Sequence, residues 1–281
     1  MQNSPILIIG KNAKTGWRIN RRLQALGYPT RAVSRSTSPA FDWEDQGTWR
    51  AAITGTRSAY ITFHPDLAIP TAEQTIRDFV ALAAELGLEH LVLLSGRGED
   101  GARRAELALE QGGTDWNVVR ASWFMQNFSE SFMIEGILNG ELMLPAGDTV
   151  EPFIDVDDIA DVAVAALTRP ELRNRVFEVS GPRAMTFAEC SKAISEATGY
   201  PVKYTQVPIE AFIDGMRDQG APDPLLWLMR ELFTVVFDGR NSSPTSGVEE
   251  ALGRPATGFS EYLQKVMATG AWERSGMQRQ G

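Results

Sequence analysis

The chain has 281 residues, with 27 Lys and Arg against 36 Asp and Glu for a formal charge of -9, and 43% of its residues are hydrophobic. That composition can fill a large core and argues against disorder, while the net negative field repels nucleic-acid phosphates and anionic membrane surfaces. One cysteine excludes an internal disulfide, no apolar run reaches the ~18 residues of a membrane span, and Met1 to Ile9 is too short and uncharged for a signal peptide, which leaves the cytoplasm as the expected address.

In chain order, Pro5 to Ile9, Thr30 to Ser34, Ser58 to Phe63, His90 to Ser95, Trp116 to Ala121 and Arg175 to Val179 read as short strands, with segments of helical period between them. Such alternation predicts an α/β fold, a doubly wound parallel sheet with helices on both faces. Between the third and fourth strands, Thr71 to Leu86 places Ile76, Phe79, Val80 and Ala83 on one helical stripe, opened by a Thr71 and Gln74 capping box and stopped at Gly87. Another helix runs from Ile159 to Leu167. Asp155, Asp157 and Asp158 ahead of it read as groups that cap N–H donors and favour the dipole, rather than as paired catalytic carboxylates. Thr186 and Glu189 form a capping box for a helix closed by Gly199, and a short run from Val202 to Val207 follows. Leu225 to Phe237 is apolar on most faces of a helix and should be covered.

Chemistry enters at Gly10-Lys11-Asn12-Ala13-Lys14-Thr15-Gly16, directly after the first strand and before a helix patterned by Ile19, Leu23 and Leu26. A pyrophosphate needs backbone N–H groups at a helix N-terminus and no side chain in the way, which is what glycines at such a turn provide. Ala13 stands where the middle glycine of a G-x-G-x-x-G loop would be, and Lys11 and Lys14 add positive charge. At the end of the second strand, Ser34-Arg35-Ser36 offers a guanidinium fork flanked by hydroxyls where a carboxylate would bind a ribose 2′-hydroxyl. That chemistry suits a 2′-phosphate, so NADP(H) is expected rather than NAD(H).

These residues, with Phe41-Asp42-Trp43, Leu93-Leu94-Ser95-Gly96, Arg120-Ala121-Ser122-Trp123-Phe124, Asn127 and Phe153-Ile154-Asp155-Val156-Asp157-Asp158, together resemble NmrA-like atypical short-chain dehydrogenase/reductases. The likeness spans nearly the whole chain. It looks most like the branch that includes the ergot-alkaloid festuclavine and agroclavine dehydrogenases, a likeness strengthened by Leu252-Gly253-Arg254-Pro255, Phe259 and Tyr262. The resemblance implies that Gly10, Asn12, Ala13, Thr15 and Gly16 line the pyrophosphate, Arg35 the 2′-phosphate, and Asp42 and Trp43 the adenine edge. It further implies that Phe63 and His64 form the loop after the third strand, with Ser95 and Gly96 near the nicotinamide ribose. Ser122, Trp123, Phe124 and Asn127 would form the nicotinamide end and substrate wall, with Phe128 also lining the acceptor pocket. The family often carries a lysine ahead of the helix beginning near Glu106; here Arg103 and Arg104 stand in that neighbourhood. One unit over residues 1–272 is expected, its Rossmann core mainly 1–182 and its smaller substrate-covering α/β part mainly 183–272, followed by a disordered polar tail over 273–281.

The Tyr-x-x-x-Lys dyad of ordinary short-chain dehydrogenases, in which lysine lowers the tyrosine pKa, is absent: Lys203 follows Tyr200 and Lys265 follows Tyr262 at the wrong interval. A reductase of this kind takes its proton from another group or from water, or uses an acceptor that needs none, as an iminium does. The expected function is therefore an NADPH-dependent reductase passing hydride to a small or medium organic acceptor such as an imine, quinone or enone. Ser95, Ser122 and Trp123 are its catalytic candidates, with the nicotinamide between Ser95 and Trp123. The alternative is a non-catalytic NADP(H) sensor that binds a protein partner. His64 and His90 have no ligand spacing, so no metal is expected, Cys190 reads as a buried small hydrophobe, and a homodimer is left open.

Overall fold

The computed structural model describes residues 4–274. The chain runs β1 (Ile6–Ile9), α1 (Gly16–Ala25), β2 (Thr30–Val33), α2 (Trp49–Ile53), β3 (Ser58–Ile61), α3 (Ala72–Glu85), β4 (His90–Gly96), α4 (Asp100–Glu110) and β5 (Asp115–Ala121). It continues through α5 (Met133–Asn139), β6 (Glu141–Leu144), α6 (Val156–Thr168), β7 (Arg175–Val179), α7 (Phe187–Thr198) and β8 (Lys203–Gln206). Helices α8 (Ile209–Asp218), α9 (Asp223–Glu231), α10 (Gly247–Leu252) and α11 (Phe259–Thr269) complete it.

Two units interleave along the sequence. The first comprises Met1–Ala121, Val156–Val179 and Thr245–Pro255; the second comprises Ser122–Asp155, Ser180–Pro244 and Ala256–Gly281. The division expected at residues 182 and 183 thus falls close to one crossing point but misses two excursions, because a segment without strand periodicity leaves no mark of the body it joins. Of the expected tail, residues 275–281 lie outside the described residues, whereas Arg274 places its guanidinium 3.6 Å from the Tyr200 ring centroid.

All six expected strands pair in the first unit, in parallel and in the order β2-β1-β3-β4-β5-β7. Their apolar runs are continuous because both faces are covered. Leu7, Ile9, Ala59, Ile61, Leu91, Leu93 and Val118 join Ile76, Phe79 and Val80 of α3 and Ala102, Ala105 and Leu109 of α4 in one core. The alternating Ile6, Ile8, Tyr60, Val92 and Val119 are equally buried on the other face. With β1 between β2 and β3, the crossovers leave β1 in opposite directions, and the carboxyl ends of β1 and β3 flank the point where such a sheet takes its ligand.

Thr71 makes no side-chain cap hydrogen bond, and Gln74 instead donates to Asp78 at 2.7 Å. The expected capping box there fails because Thr71 already has helical φ and ψ, which turns its hydroxyl away from the third N–H.

In the second unit, β6 and β8 form a two-stranded parallel sheet, with Glu141 opposite Lys203 and Leu144 opposite Gln206. The Thr186 and Glu189 capping box forms as expected, and α7 ends on Gly199 in the left-handed conformation, φ 75°. The apolar stretch after α9 winds into a π-helical turn, Leu232–Val236, which buries Phe233 and Val236. The covering expected over Leu225 to Phe237 is incomplete, since Trp227 of α9 is 41% and Val235 of the turn 37% exposed.

Candidate functional site

The loop after β1 is shaped by its glycines. Gly10 has φ +88°, a conformation that a side chain strains, and a Cβ at Gly16 would collide with the Gly10 carbonyl. The N–H groups of Gly10 and Lys11 both donate to the Val33 carbonyl, at 3.2 and 3.0 Å, and that of Ala13 donates to the Gly10 carbonyl at 2.8 Å. The Ala13 methyl packs back toward Gly10, so the departure from glycine leaves the outer side of the turn clear. Helix α1 starts at Gly16, and its Trp17 and Ile19 N–H groups donate to the Ala13 and Thr15 carbonyls of the turn at 3.2 and 2.9 Å, so the turn and the positive end of the helix form one piece. A positive helix end with glycines where a Cβ would not fit is the cradle a pyrophosphate requires, and the residues present fit a dinucleotide.

Beyond β2 the chain turns tightly. Ser34 N–H donates to Thr37 Oγ1 at 2.9 Å, and the Ser34 and Ser36 hydroxyl oxygens stand 3.1 Å apart. Arg35 sits at the exposed tip between them, and its guanidinium makes no hydrogen bond or ion pair with any described residue. Next to this turn, Trp43 Nε1 donates to the Thr62 carbonyl at 2.9 Å and its ring meets Phe63 at 4.9 Å. The Asp42 carboxylate accepts the Glu44 N–H at 3.1 Å. The loops after β2 and β3 are thereby tied together, with His64 exposed near the start of the second. The proposed adenine, phosphate and pyrophosphate groups thus fall on successive loops at one edge of the sheet.

Ser95 behaves differently from expectation. It is buried, and its hydroxyl lies 2.6 Å from Glu106 Oε1 on α4. Burial opposes ionisation of Glu106, but hydrogen bonds from Arg120 and Ser95 outweigh it and hold its pKa below the usual carboxylate range. The ionised carboxylate can only accept, so the Ser95 proton is committed to it. Arg120 reaches both Glu106 oxygens, at 2.9 and 2.5 Å, Arg103 adds a bond at 2.9 Å, and Arg120 also meets Glu178, which pairs with Arg97 at 2.7 Å. Arg103 is therefore part of a structural ion network. Sequence reading missed Glu106 and Arg120 as partners of Ser95; the available signal was the pairing of β4 with β5, which sets Ser95 beside Arg120.

In the second unit, Trp123 packs against Phe187, Phe233 and Phe237 at 5.8, 5.1 and 5.4 Å. Phe124 bridges to Ile154, and Phe124 and Asn127 remain partly exposed. Phe128 is enclosed by Phe153, Phe187 and Phe259, so it serves the core and presents no face to a ligand. Ser122 is buried with its hydroxyl lacking a partner among the described residues, an arrangement that costs about 1–3 kcal/mol unless a ligand or water completes it. A cavity of about 280 Å³ opens between Met125, Phe153, Pro182, Met185, Phe259 and Leu263. None of the expected acceptor residues lines it.

The remaining candidates are structural. Tyr262 donates to Ser129 at 2.8 Å and burial raises its pKa; Tyr200 donates to the Trp272 carbonyl at 3.0 Å. Cys190 is buried, which pushes its thiol up. Asp157 and Asp158 pair with Arg22 at 2.6 Å and Arg254 at 2.7 Å, and Asp155 accepts from Gln126 at 2.7 Å. These aspartates hold elements together through ion pairs and side-chain hydrogen bonds, and Asp157 and Asp158 lie in the first turn of α6, where their charge favours the helix dipole as expected. Among the described residues no three His, Cys, Asp or Glu side chains gather to hold a metal, and no helix is long and apolar enough to cross a membrane.

The model of the NmrA-like family matches residues 105–263. An NAD(P)H azoreductase of Xenophilus azovorans is 27% identical, over 92% of this chain and 96% of that enzyme. Agroclavine dehydrogenase of Claviceps fusiformis is 26% identical over 92% and 96%. The crystal structure of Citrobacter sp. triphenylmethane reductase complexed with NADP(H) superposes with a TM-score of 0.79 at 16% identity, covering 93% of this chain and 99% of that one.

Proposed function

Because the chain belongs to the NmrA-like family, we propose that it is an NADPH-dependent reductase of small or medium organic acceptors with a C=N, N=N or quinone-type double bond. The observation that carries this reading is the pairing of the Gly10 to Gly16 cradle with Arg35, an unengaged guanidinium between two hydroxyls. Gly10, Asn12, Ala13, Thr15 and Gly16 hold the pyrophosphate, Arg35 the 2′-phosphate, and Asp42 and Trp43 the adenine edge, while Phe63 and His64 form the loop after β3 and Gly96 stands near the nicotinamide ribose. When bound, NADPH supplies the hydride. Trp123, Phe124 and Asn127 bind the acceptor, and Ser122 offers it a hydroxyl. Ser95 is a positioning residue, since its proton is directed at Glu106. Relatives named for azo, clavine and triphenylmethane chemistry support the acceptor class. Rate enhancement then comes from orientation and desolvation more than from a strong general acid.

The test is NADPH oxidation against a panel of azo dye, cationic iminium, quinone and enone. Turnover with any of them supports the proposal. A second reading, a non-catalytic NADP(H) sensor, is favoured by the engagement of Ser95, Tyr200 and Tyr262 in structural bonds; tight NADPH binding without turnover on the whole panel would establish it instead.

A further inference from the structure

On the reading above, one nucleotide touches two places that belong to different loops: its pyrophosphate meets the turn after β1, and its adenine meets Trp43 on the loop after β2. A ligand that bridges two recognising groups gains fully from the second only when the span between them is already held. One residue with no part in that reading touches both places. It is Thr62, the first residue after β3.

The parallel register of β1 with β3 sets Ile8 opposite Tyr60, so two residues further along each strand Gly10 stands beside Thr62. The Thr62 hydroxyl donates to the Ile9 carbonyl at 3.3 Å. It also fills the open side of Gly10, where an added Cβ would come within 2.3 Å of Thr62 Oγ1. Gly10 therefore has two reasons to be glycine, its φ of +88° and this hydroxyl. On its other side, the Thr62 carbonyl accepts the Trp43 Nε1–H at 2.9 Å. The Trp43 ring is packed against Phe41 at 4.8 Å, Phe79 at 5.4 Å and Trp49 at 5.7 Å, so the ring and the loop that carries it move as one piece. The turn is thus pinned to β2 by the Gly10 and Lys11 N–H groups on the Val33 carbonyl, and to β3 by the Thr62 hydroxyl. The residues after Thr62 do not duplicate it: Phe63 meets Trp43 through its ring, and His64 is exposed.

We propose that Thr62 is a positioning residue for the nucleotide, its hydroxyl placing the Gly10 turn and its carbonyl placing Trp43 at the separation that bound NADPH spans. This rests on the nucleotide reading above and deepens it. Thr62 acts through Gly10 and Trp43 rather than through the ligand, so its effect differs between ligands. NADPH reaches both the turn and Trp43. The fragment 2′-AMP carries an adenine and a 2′-phosphate but no pyrophosphate, so it engages Trp43 and Arg35 and leaves the turn empty.

The experiment is calorimetric titration of wild type, Thr62→Val, Thr62→Ala and Thr62→Ser with NADPH and with 2′-AMP. Loss of the hydroxyl in Thr62→Val should weaken NADPH about 10-fold while 2′-AMP affinity stays within about twofold. Thr62→Ala, which has no methyl group to crowd Gly10, should repeat that split, and Thr62→Ser should restore wild-type NADPH affinity. Retained 2′-AMP binding reports that the unit is folded. Unchanged NADPH affinity in both Thr62→Val and Thr62→Ala would overturn the proposal. So would equal weakening of the two ligands, which assigns Thr62 a structural role only, or a Thr62→Ser protein as weak as Thr62→Val. Wild type that binds neither ligand would overturn the nucleotide reading and the positioning role together, whereas wild type that binds both, with no split in the variants, removes the positioning role alone.

Discussion

The two units of this chain are tied at their centres by different contacts, although the first also gathers Phe41, Trp43, Trp49 and Phe79 beside β2 and α3. The first buries aliphatic strands and keeps an ion network inside, where Glu106, Arg120 and Ser95 tie β4 and β5 to α4. The second is held by rings: Phe187 alone meets Trp123, Phe128, Phe153, Phe233 and Phe237. In the proposed reading, cofactor recognition rests on backbone shape and on one arginine of the first unit, and such requirements show as spacing. The proposed acceptor residues belong to the second unit, where the division of rings between surface and core decides which could meet a ligand, and spacing carries no such information.

The contrast can be broken from either side. Phe187→Ala removes a fully buried ring from the aromatic core and should cost about 3–5 kcal/mol in urea unfolding. Glu106→Ala leaves Arg120 with Glu178 as its only carboxylate partner among the described residues and should cost at most a similar ~3–5 kcal/mol. It differs in one respect: the charge network weakens on acidification. Glu106 is held below its usual range by Arg120 and Ser95. Its contribution is therefore complete above the ordinary carboxylate pKa and lost as pH falls through the depressed folded value. Phe187→Ala should show no such change in its cost with pH.

His90 sharpens the same point at milder pH. It is buried at the start of β4, its Nε2 2.9 Å from Asn117 Oδ1, and burial lowers its pKa to about 4, with the Asn117 bond opposing. Unfolded histidine titrates near ~6.5, so between that value and about 4 the unfolded chain binds a proton that the folded chain refuses. Stability from this residue is complete above the unfolded pKa and declines as pH falls, by up to about 3 kcal/mol. Thermal unfolding of wild type should shift downward from pH 6.5 to 5, and His90→Gln should flatten that slope. The smallest effect belongs to the second unit, where Thr186→Ala removes one half of the α7 capping box, worth about 1 kcal/mol.

The same difference explains what could be read from the residues alone. The six strands and the Gly10 turn were legible because apolar runs and glycine positions reflect backbone demands directly. Strand β6 was not, since Glu141-Leu-Met-Leu lacks β-branched residues and pairs only with the distant β8. The interleaving of the units escaped because contacts distant in sequence leave no local period. Ser95 was visible as a candidate, but its commitment to Glu106 follows from strand register and helix packing. Phe128, adjacent to candidate acceptor residues in sequence, belongs to the core because the 3-10 turn at Met125–Asn127 points it inward.

The central claim is that the first unit holds NADPH through the cradle and Arg35, and tryptophan-quenching titration of wild type and Arg35→Ala with NADPH and NADH tests it most directly. Loss of charge-assisted bonds to the 2′-phosphate, about 1.5–3 kcal/mol, should weaken NADPH binding ~10- to 100-fold while NADH affinity stays within about twofold. Equal weakening of both nucleotides, or wild type that binds neither, would contradict the account.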